Sequence, residues 1–185
     1  MTTTLWVPWK ESAVYFDTSA LIKRYHSETG SDAVDEIMTP DGPHIFISWV
    51  TVVEAVSNIR RLERVEQKIS AEIANDAIRL MLTEMNLGHV YSCQVGPRTT
   101  EKAREILRHT YMTPADSLHL ATAVRLQEQH GWLPLVFVTA DDKLLKAAAL
   151  ESLYVFNPLN PVTPQLRGVH SKYLPPSPKL GYSDA

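Results

Sequence analysis

Hydrophobic and polar positions along the chain repeat with two different periods. Short apolar runs rich in Val, Ile, Tyr or Phe predict β-strands at Ala13–Phe16, Ile45–Trp49, Val90–Cys93, Val136–Thr139 and Tyr154–Phe156. Longer stretches with helical spacing predict helices at Ser19–Tyr25, Ser31–Met38, Thr51–Arg64, Ser70–Met85, Thr99–Arg108, Pro114–His130 and Asp142–Leu150. Strands and helices that alternate in this way predict an α/β fold with a mostly parallel central sheet covered by helices on both faces.

The two ends of the chain differ from this pattern. Residues 1–12 carry Trp6 and Trp9 ahead of the first strand, and we expect them to form an arm that docks on the domain. Residues 158–185 are rich in proline, which excludes a long helix and predicts an extended tail. The sequence therefore predicts an N-terminal arm (1–12), one domain (13–157) and a proline-rich tail (158–185).

Composition narrows the class of protein. The 185 residues include 18 Lys and Arg against 21 Asp and Glu, so a formal charge of -3 predicts no general affinity for polyanions. The single cysteine, Cys93, excludes an internal disulfide and a multi-thiolate zinc site, which favours the reducing cytoplasm. The apolar runs are far shorter than the ~20 residues that span a bilayer, so we expect no membrane segment.

Four carboxylates lie where a predicted strand gives way to a helix or where a helix begins: Asp17, Glu54, Asp116 and Asp141. Each can be explained as a helix cap or a first-turn acid. Glu54 follows Thr51 with the spacing of a capping box, and Thr113 is the expected cap ahead of Asp116.

Their combination predicts more than capping. In a parallel sheet these junctions share one edge, where four acids repel one another unless a cation is present. Mg²⁺ or Mn²⁺ prefers carboxylate and water oxygens, and such ions can activate a water for the hydrolysis of a phosphodiester. The sequence therefore predicts a candidate site for one or two divalent ions.

Four stretches, in order along the chain, carry a resemblance to a known family. They are Tyr15–Lys23, Ile47–Glu54, Ala115–Ala123 and Val138–Ala148. Together they resemble PIN-domain ribonucleases, and within that family the VapC-type toxins of toxin–antitoxin pairs. The resemblance spans about residues 14 to 158 and implies a PIN-like three-layer α/β/α sandwich.

The resemblance also implies a function. It implies a Mg²⁺- or Mn²⁺-dependent endoribonuclease, often a homodimer, that cleaves structured RNA and is inhibited by a cognate VapB-like antitoxin. By resemblance the catalytic and metal-binding acids are Asp17, Glu54, Asp116 and Asp141. Thr139 is the hydroxyl that accompanies the last of them.

Six further side chains are candidates with less specific signals. Ser19 and Thr139 would support the metal site. Lys23 and Arg24 would neutralise a phosphate or an antitoxin carboxylate. A place on the helix surface explains these two cations equally well. His119, one turn after Asp116, is either a satisfied core residue or a donor to a carboxylate. Asp142 is a possible ligand in place of Asp141, but it better suits the first turn of the following helix.

Two alternatives remain open. One is a phosphatase in which Asp17 attacks phosphorus, although such enzymes usually carry a second acid where this chain has Ser19. The other is a catalytically silent PIN-like interaction module whose acids serve as caps and as a docking surface. A dinucleotide-binding enzyme is disfavoured, because no Gly-x-Gly-x-x-Gly occurs.

Overall fold

The structure is a computed structural model, described over residues 12–130 and 134–161. Within these residues the strands are β1 (Ala13–Phe16), β2 (His44–Ser48), β3 (Val90–Cys93), β4 (Leu135–Val138) and β5 (Tyr154–Phe156). The helices are α1 (Thr18–Tyr25), α2 (Ser31–Ile37), α3 (Trp49–Arg64), α4 (Ala71–Asn86), α5 (Pro97–Ile106), α6 (Pro114–Gln129) and α7 (Asp142–Leu150).

The strands form one parallel sheet in the order β3-β2-β1-β4-β5. β1 is central, and Val14 pairs with Ile45 of β2 on one side and with Val136 of β4 on the other. Helices flank both faces, so the predicted three-layer α/β/α sandwich is confirmed, and every strand pair is parallel. The carboxyl ends of β2, β1 and β4 are therefore neighbours at one edge of the sheet, here called the carboxyl edge.

Two hydrophobic cores lie on opposite faces of the sheet because successive strand residues point to opposite sides. Val14 and Phe16 belong to the core beneath α1 to α4, whereas Tyr15 belongs to the core beneath α5 to α7. All three side chains are fully buried. The burial of both faces explains why each strand is a continuous apolar run and not an alternating one.

The structure corrects the start of the third helix. The predicted strand Ile45–Trp49 ends at Ser48, and Trp49 begins α3. The capping box consists of Ser48 and Thr51: the Thr51 amide donates to the Ser48 hydroxyl (3.1 Å), and the Ser48 amide donates to the Thr51 hydroxyl (3.2 Å). The predicted pairing of Thr51 with Glu54 is therefore wrong as a capping box, and Glu54 is free for another role.

β1, β3, β5 and α7 have the predicted bounds, and the remaining boundaries differ from the predicted ones by at most two residues, as is common at the ends of elements. α5 begins at Pro97, two residues earlier than predicted, because proline suits the first turn of a helix. β4 ends at Val138, so Thr139 lies just beyond the strand. This places the Thr139 side chain at the carboxyl edge.

A buried acid on α4 ties this helix to α1. Glu84, 8% exposed, accepts hydrogen bonds from the Arg24 guanidinium (2.8 Å) and the Tyr25 hydroxyl (2.6 Å).

We expect Glu84→Ala to lower the free energy of unfolding by about 2–4 kcal/mol, since it leaves a buried hydroxyl and a half-buried guanidinium without this partner. Urea denaturation measures the change. Asp35→Ala, which removes only an exposed partner of Arg24, is the control and should cost less than ~1 kcal/mol; equal losses would contradict the argument.

Parts of the predicted organisation cannot be compared with the structure. The arm 1–12 lies outside the described residues except for Ser12, and so does the tail 158–185 beyond residue 161. The division into arm, domain and tail stays a prediction. Among the described helices, none combines the length and apolar character needed to cross a bilayer.

Candidate active site

Asp17 is at the centre of the carboxyl edge. It follows β1 directly and caps α1, whose Ala20 amide donates to Oδ1 at 2.9 Å. The Ser19 hydroxyl donates to the carboxylate from 2.9 Å of either oxygen, and the Thr139 hydroxyl donates to Oδ2 at 2.8 Å. Both carboxylate oxygens are thus held in a fixed position by groups from α1 and by Thr139, just beyond β4.

The charge of Asp17 has little compensation. Its side chain is 3% exposed, and within residues 12–130 and 134–161 no Lys or Arg forms an ion pair with it. Burial raises the pKa of Asp17 to about 6, against the lowering effects of the Ala20 amide and the Thr139 hydroxyl. A carboxylate in this state gains free energy from any cation placed beside it.

The loop that carries Asp141 is bonded to the same group of side chains. The Asp141 amide donates to the Thr139 hydroxyl (3.0 Å), and the Ala140 amide donates to the Ser19 hydroxyl (2.9 Å). The Asp141 side chain is exposed and caps α7, with Oδ1 accepting from the amides of Lys143 and Leu144. Asp17 and Asp141 are therefore linked through Thr139, although their carboxylates do not bond to each other.

Glu54 approaches Asp17 from α3. Its Oε2 accepts hydrogen bonds from the Thr18 hydroxyl and from Nε2 of His119, the latter at 2.9 Å. The bond from His119 is the main reason that the pKa of Glu54 is below its usual range, and Thr18 adds to the effect. Thr18 is the neighbour of Asp17, so the second acid lies beside the first.

His119 combines the two roles that the sequence left open. It is 1% exposed, yet it donates to Glu54. Its other ring nitrogen, Nδ1, faces the hydroxyls of Tyr15 (3.2 Å), Thr51 (3.3 Å) and Ser48 (3.4 Å). An ionised carboxylate only accepts hydrogen bonds, so the bond to Glu54 requires a proton on Nε2, and the three hydroxyls can then donate to Nδ1.

Asp116 lies on the first turn of α6, three residues before His119. Its Oδ2 accepts from the Thr113 hydroxyl (2.7 Å), and its amide donates to the same hydroxyl (3.2 Å), so the predicted cap is confirmed. The side chain is partly exposed. α6 thus brings both Asp116 and His119 toward the edge where β1 and β2 end.

The structure places the two predicted cations in ion pairs. The Lys23 ammonium is 6% exposed and pairs with Glu28 at 3.0 Å. Arg24 pairs with Glu84 and Asp35, each at 2.8 Å. Contact of either residue with a phosphate stays a prediction, and in this structure both charges are already neutralised by acids.

Three further residues of this network carry only weak signals in the sequence. Thr18 follows Asp17 directly, Ser48 is the last but one residue of the predicted strand Ile45–Trp49, and Tyr15 lies inside the first strand. For Thr18 and Ser48 the available signal is a polar residue close to the end of a strand. A polar residue at such a position in a parallel sheet faces the same edge as the acids.

The donor set fits a divalent cation by its chemistry. It offers carboxylate oxygens supported by hydroxyls, the ligands that Mg²⁺ and Mn²⁺ prefer, and the buried Asp17 lacks a cationic partner among the described residues. In the described part of the chain, however, no three metal-binding side chains lie close enough to form a ready-made cluster. The acids are gathered at one edge without being assembled around one point.

An apolar cavity within the described residues lies away from these acids. It measures about 310 Å³ and is lined by the first residues of three strands, Ala13, His44 and Leu135, together with the end of α6. These residues mark the amino ends of the strands, opposite the acids. Neither Asp nor Glu lines it, so the four predicted acids lie outside this cavity.

Comparison with known proteins identifies the family to which this fold belongs. The model of the PIN domain family matches residues 14–150, and the chain therefore belongs to the PIN domain family. The matched region contains all four predicted acids. Among curated protein sequences, none matches this chain.

Solved structures with the same fold include toxin–antitoxin proteins. VapBC2 from Rickettsia felis, bound to a promoter DNA fragment, has a TM-score of 0.53 at 13% identity over 78% of this chain and 98% of its own. VapC20 from Mycobacterium tuberculosis, a toxin that cleaves the sarcin-ricin loop, has a TM-score of 0.53 at 16% identity, over 72% of this chain and 94% of its own. FitAcB from Neisseria gonorrhoeae has a TM-score of 0.51 at 16% identity, over 78% of this chain and 97% of its own. The resemblance to VapC-type proteins is thus confirmed for the fold.

Proposed function

We propose that this protein is a metal-dependent endoribonuclease that hydrolyses RNA phosphodiester bonds and acts as the toxin of a toxin–antitoxin pair. The observation that carries the proposal is the buried, uncompensated Asp17 at the edge that also bears Glu54, Asp116 and Asp141. A hydrolase that uses divalent ions needs such a group of oxygen ligands beside an open surface. Membership of the PIN family and the likeness in fold to VapC structures support the same function.

The acids would hold Mg²⁺ or Mn²⁺, with Asp17, Asp116 and Asp141 as direct or water-mediated ligands and Glu54 as a ligand or water-orienting group. When bound, the ion supplies charge that activates the attack of water on phosphorus and stabilises the leaving oxygen. Thr139 and Ser19 fix the orientation of Asp17 through their hydroxyls.

Glu54 has a separate part in this mechanism. Its Oε2 is engaged by Thr18 and His119, which keeps the group ionised at neutral pH and leaves Oε1 to accept a hydrogen bond from the attacking water. The phosphatase alternative is less well supported. In it one oxygen of Asp17 would attack phosphorus, yet Ser19 and Thr139 donate to this carboxylate.

The proposed partners follow from the same relatives. Because VapBC2 is similar in fold, we propose a VapB-like antitoxin as the partner of this chain. We also propose a homodimer, which the resemblance to VapC-type toxins implies, and a cytoplasmic location, which the single cysteine favours. The RNA substrate rests on the site and on the cleavage activity stated for VapC20. Purification with the product of a neighbouring small gene would test the antitoxin, and sedimentation would test the dimer.

Cleavage is tested with Asp17→Ala. Wild type and variant are expressed without an antitoxin, and cellular RNA ends are mapped by sequencing. We expect new 5′ and 3′ ends only with wild type, because the variant lacks the central oxygen ligand. Asp41→Ala, an exposed acid before β2 at the opposite edge, is the matched control and should cleave like wild type. Identical ends with wild type and Asp17→Ala would overturn the assignment.

Metal binding is tested by the same variants in a thermal melt. A ligand that binds only the folded state at 100 times its Kd stabilises the fold by about 2.7 kcal/mol. We expect millimolar Mg²⁺ or Mn²⁺ to raise the Tm of wild type and Asp41→Ala but not that of Asp17→Ala. An unchanged wild-type Tm would instead favour the interaction module.

A further inference from the structure

The apolar cavity lies where the three central strands begin. Ala13, the first residue of β1, pairs with His44 of β2 on one side and with Leu135 of β4 on the other. All three residues line the cavity, and paired strands are about 4.8 Å apart. The cavity therefore adjoins the point at which the chain enters the sheet, at the edge opposite Asp17.

Aromatic rings form one wall of this cavity. Tyr91 stacks on Phe46 with 5.4 Å between ring centroids and is tilted against His44 at 6.3 Å. Leu126 and Leu135 add aliphatic side chains from α6 and β4. Tyr91 is nevertheless 46% exposed, so part of this wall faces solvent. Aromatic rings pack favourably on one another, so the wall suits an aromatic side chain.

The segment that enters the sheet at Ala13 is the arm, which carries two tryptophans. Trp6 and Trp9 lie outside the described residues, and a pair of indoles in so short a segment is typical of one that packs on a domain. Ser12, the last residue of the arm, is fully buried. The arm therefore joins the domain in its interior, beside the cavity, and not on an exposed surface.

The arm is long enough for Trp9 to reach the aromatic wall. Trp9 is four residues before Ala13, and four residues span at most ~14 Å. In an extended segment, residues an even number of positions apart share a face, so a continuation of β1 gives Trp9 the face of Ala13 and gives Trp6 the other. The indole N–H can also find an acceptor, since Gln127 and His130 line the cavity.

We infer that the arm docks on this cavity and that the Trp9 indole fills it against Tyr91 and Phe46. The occupant is a segment of this chain, because the arm and the cavity meet at Ala13. A docked indole ties the start of β1 to β2, β3 and the end of α6. This contact is independent of the proposed function, since the cavity and the acids lie at opposite edges of the sheet.

The first test is a thermal melt of wild type, Trp9→Ala, Tyr91→Ala and the double variant. We expect Trp9→Ala to lower the Tm by about 5–10 °C, since a buried indole is lost. In the Tyr91→Ala background the same change should lower the Tm by less than half as much, because the wall on which the indole packs is gone. Tyr111→Ala, which removes an exposed tyrosine outside the cavity, is the matched control, and Trp9→Ala should keep its full effect there. Equal shifts in all three backgrounds would overturn the inference.

The other tryptophans identify the occupant. Trp6→Ala should lower the Tm by less than half as much as Trp9→Ala, and its effect should not depend on Tyr91. Trp132 lies outside the described residues, two positions after His130, which lines the cavity. A coupling of Tyr91 with Trp6 or Trp132 in place of Trp9 would overturn the assignment.

The second test locates Trp9 directly. Benzoylphenylalanine is incorporated in place of Trp9 in the full chain, and its photochemical cross-links are mapped by mass spectrometry. We expect cross-links within one chain to peptides that contain Phe46, Tyr91 or Leu126. Cross-links between two chains would assign the cavity to a second copy of the protein and overturn the inference. A lack of cross-links to these three peptides would overturn it as well.

Discussion

Asp17→Asn is expected to abolish cleavage and, at the same time, to stabilise the metal-free protein at neutral pH. Burial raises the pKa of Asp17 from 3.8 to about 6, so the folded protein binds more protons than the unfolded chain between these pH values. The free energy of unfolding therefore falls as the pH rises through this window. A shift of this size corresponds to roughly 3 kcal/mol. Asparagine keeps an oxygen for the Ala20 amide and carries no charge.

The measurement is a series of thermal or urea melts in EDTA from pH 4 to pH 8. At pH 8 we expect Asp17→Asn to be more stable than wild type by about 2 kcal/mol, or roughly 4–8 °C in Tm, and near pH 4 the difference should vanish. The control is Asp41→Asn, an exposed acid for which the difference should be flat with pH. Millimolar Mg²⁺ should reverse the order by stabilising only wild type. A variant that is less stable than wild type at pH 8 would show that the buried charge is compensated.

This expected trade-off explains why one acid can be both a cap and a ligand. As a cap, Asp17 needs a single oxygen for the Ala20 amide, and serine or asparagine would do this without a buried charge. The second oxygen, held by Thr139, contributes nothing to the helix. Asp17 therefore has a second bonded oxygen and a buried negative charge that a helix cap does not require. This is the physical reason to assign the residue to catalysis.

The strands and the acids at the carboxyl edge are predictable from the sequence, because the strands follow from the apolar runs and the acids from their positions at the ends of those runs. Continuous apolar runs are typical of a parallel sheet, and Asp17 and Asp141 follow such runs directly. The predicted start of α3 is wrong because Trp49 and Val50 suit a strand as well as a helix. The mutual hydrogen bonds of Ser48 and Thr51, which form the cap, are what show that the helix begins at Trp49.

The contacts at the site depend on tertiary packing and were less predictable. Nothing in the local sequence of Arg24 shows that α2 and α4 supply its acidic partners, Asp35 and Glu84. Likewise the place of His119 in the sequence fits a core residue, and its bond to Glu54 joins side chains 65 positions apart. Spacing along one helix could not reveal either arrangement.

His119 is expected to give the second large effect, because it joins the buried core to the acid. Its Nε2 donates to Glu54, and its Nδ1 faces the hydroxyls of Tyr15, Ser48 and Thr51. We expect His119→Leu to lower the free energy of unfolding by about 3–4 kcal/mol, since several buried hydroxyls lose a partner. We also expect this variant to cleave at least tenfold more slowly, since Glu54 loses the donor that orients it.

Two polar replacements separate these effects. Glutamine can place its amide near the position of Nε2 and donate to Glu54, whereas asparagine can place its oxygen near Nδ1 and accept from the hydroxyls. We expect cleavage to be largely retained in His119→Gln and lost in His119→Asn, while urea melts show both variants less stable than wild type. Cleavage that instead follows stability across the three variants would mean that His119 is only a core residue, and that the orientation of Glu54 does not depend on it.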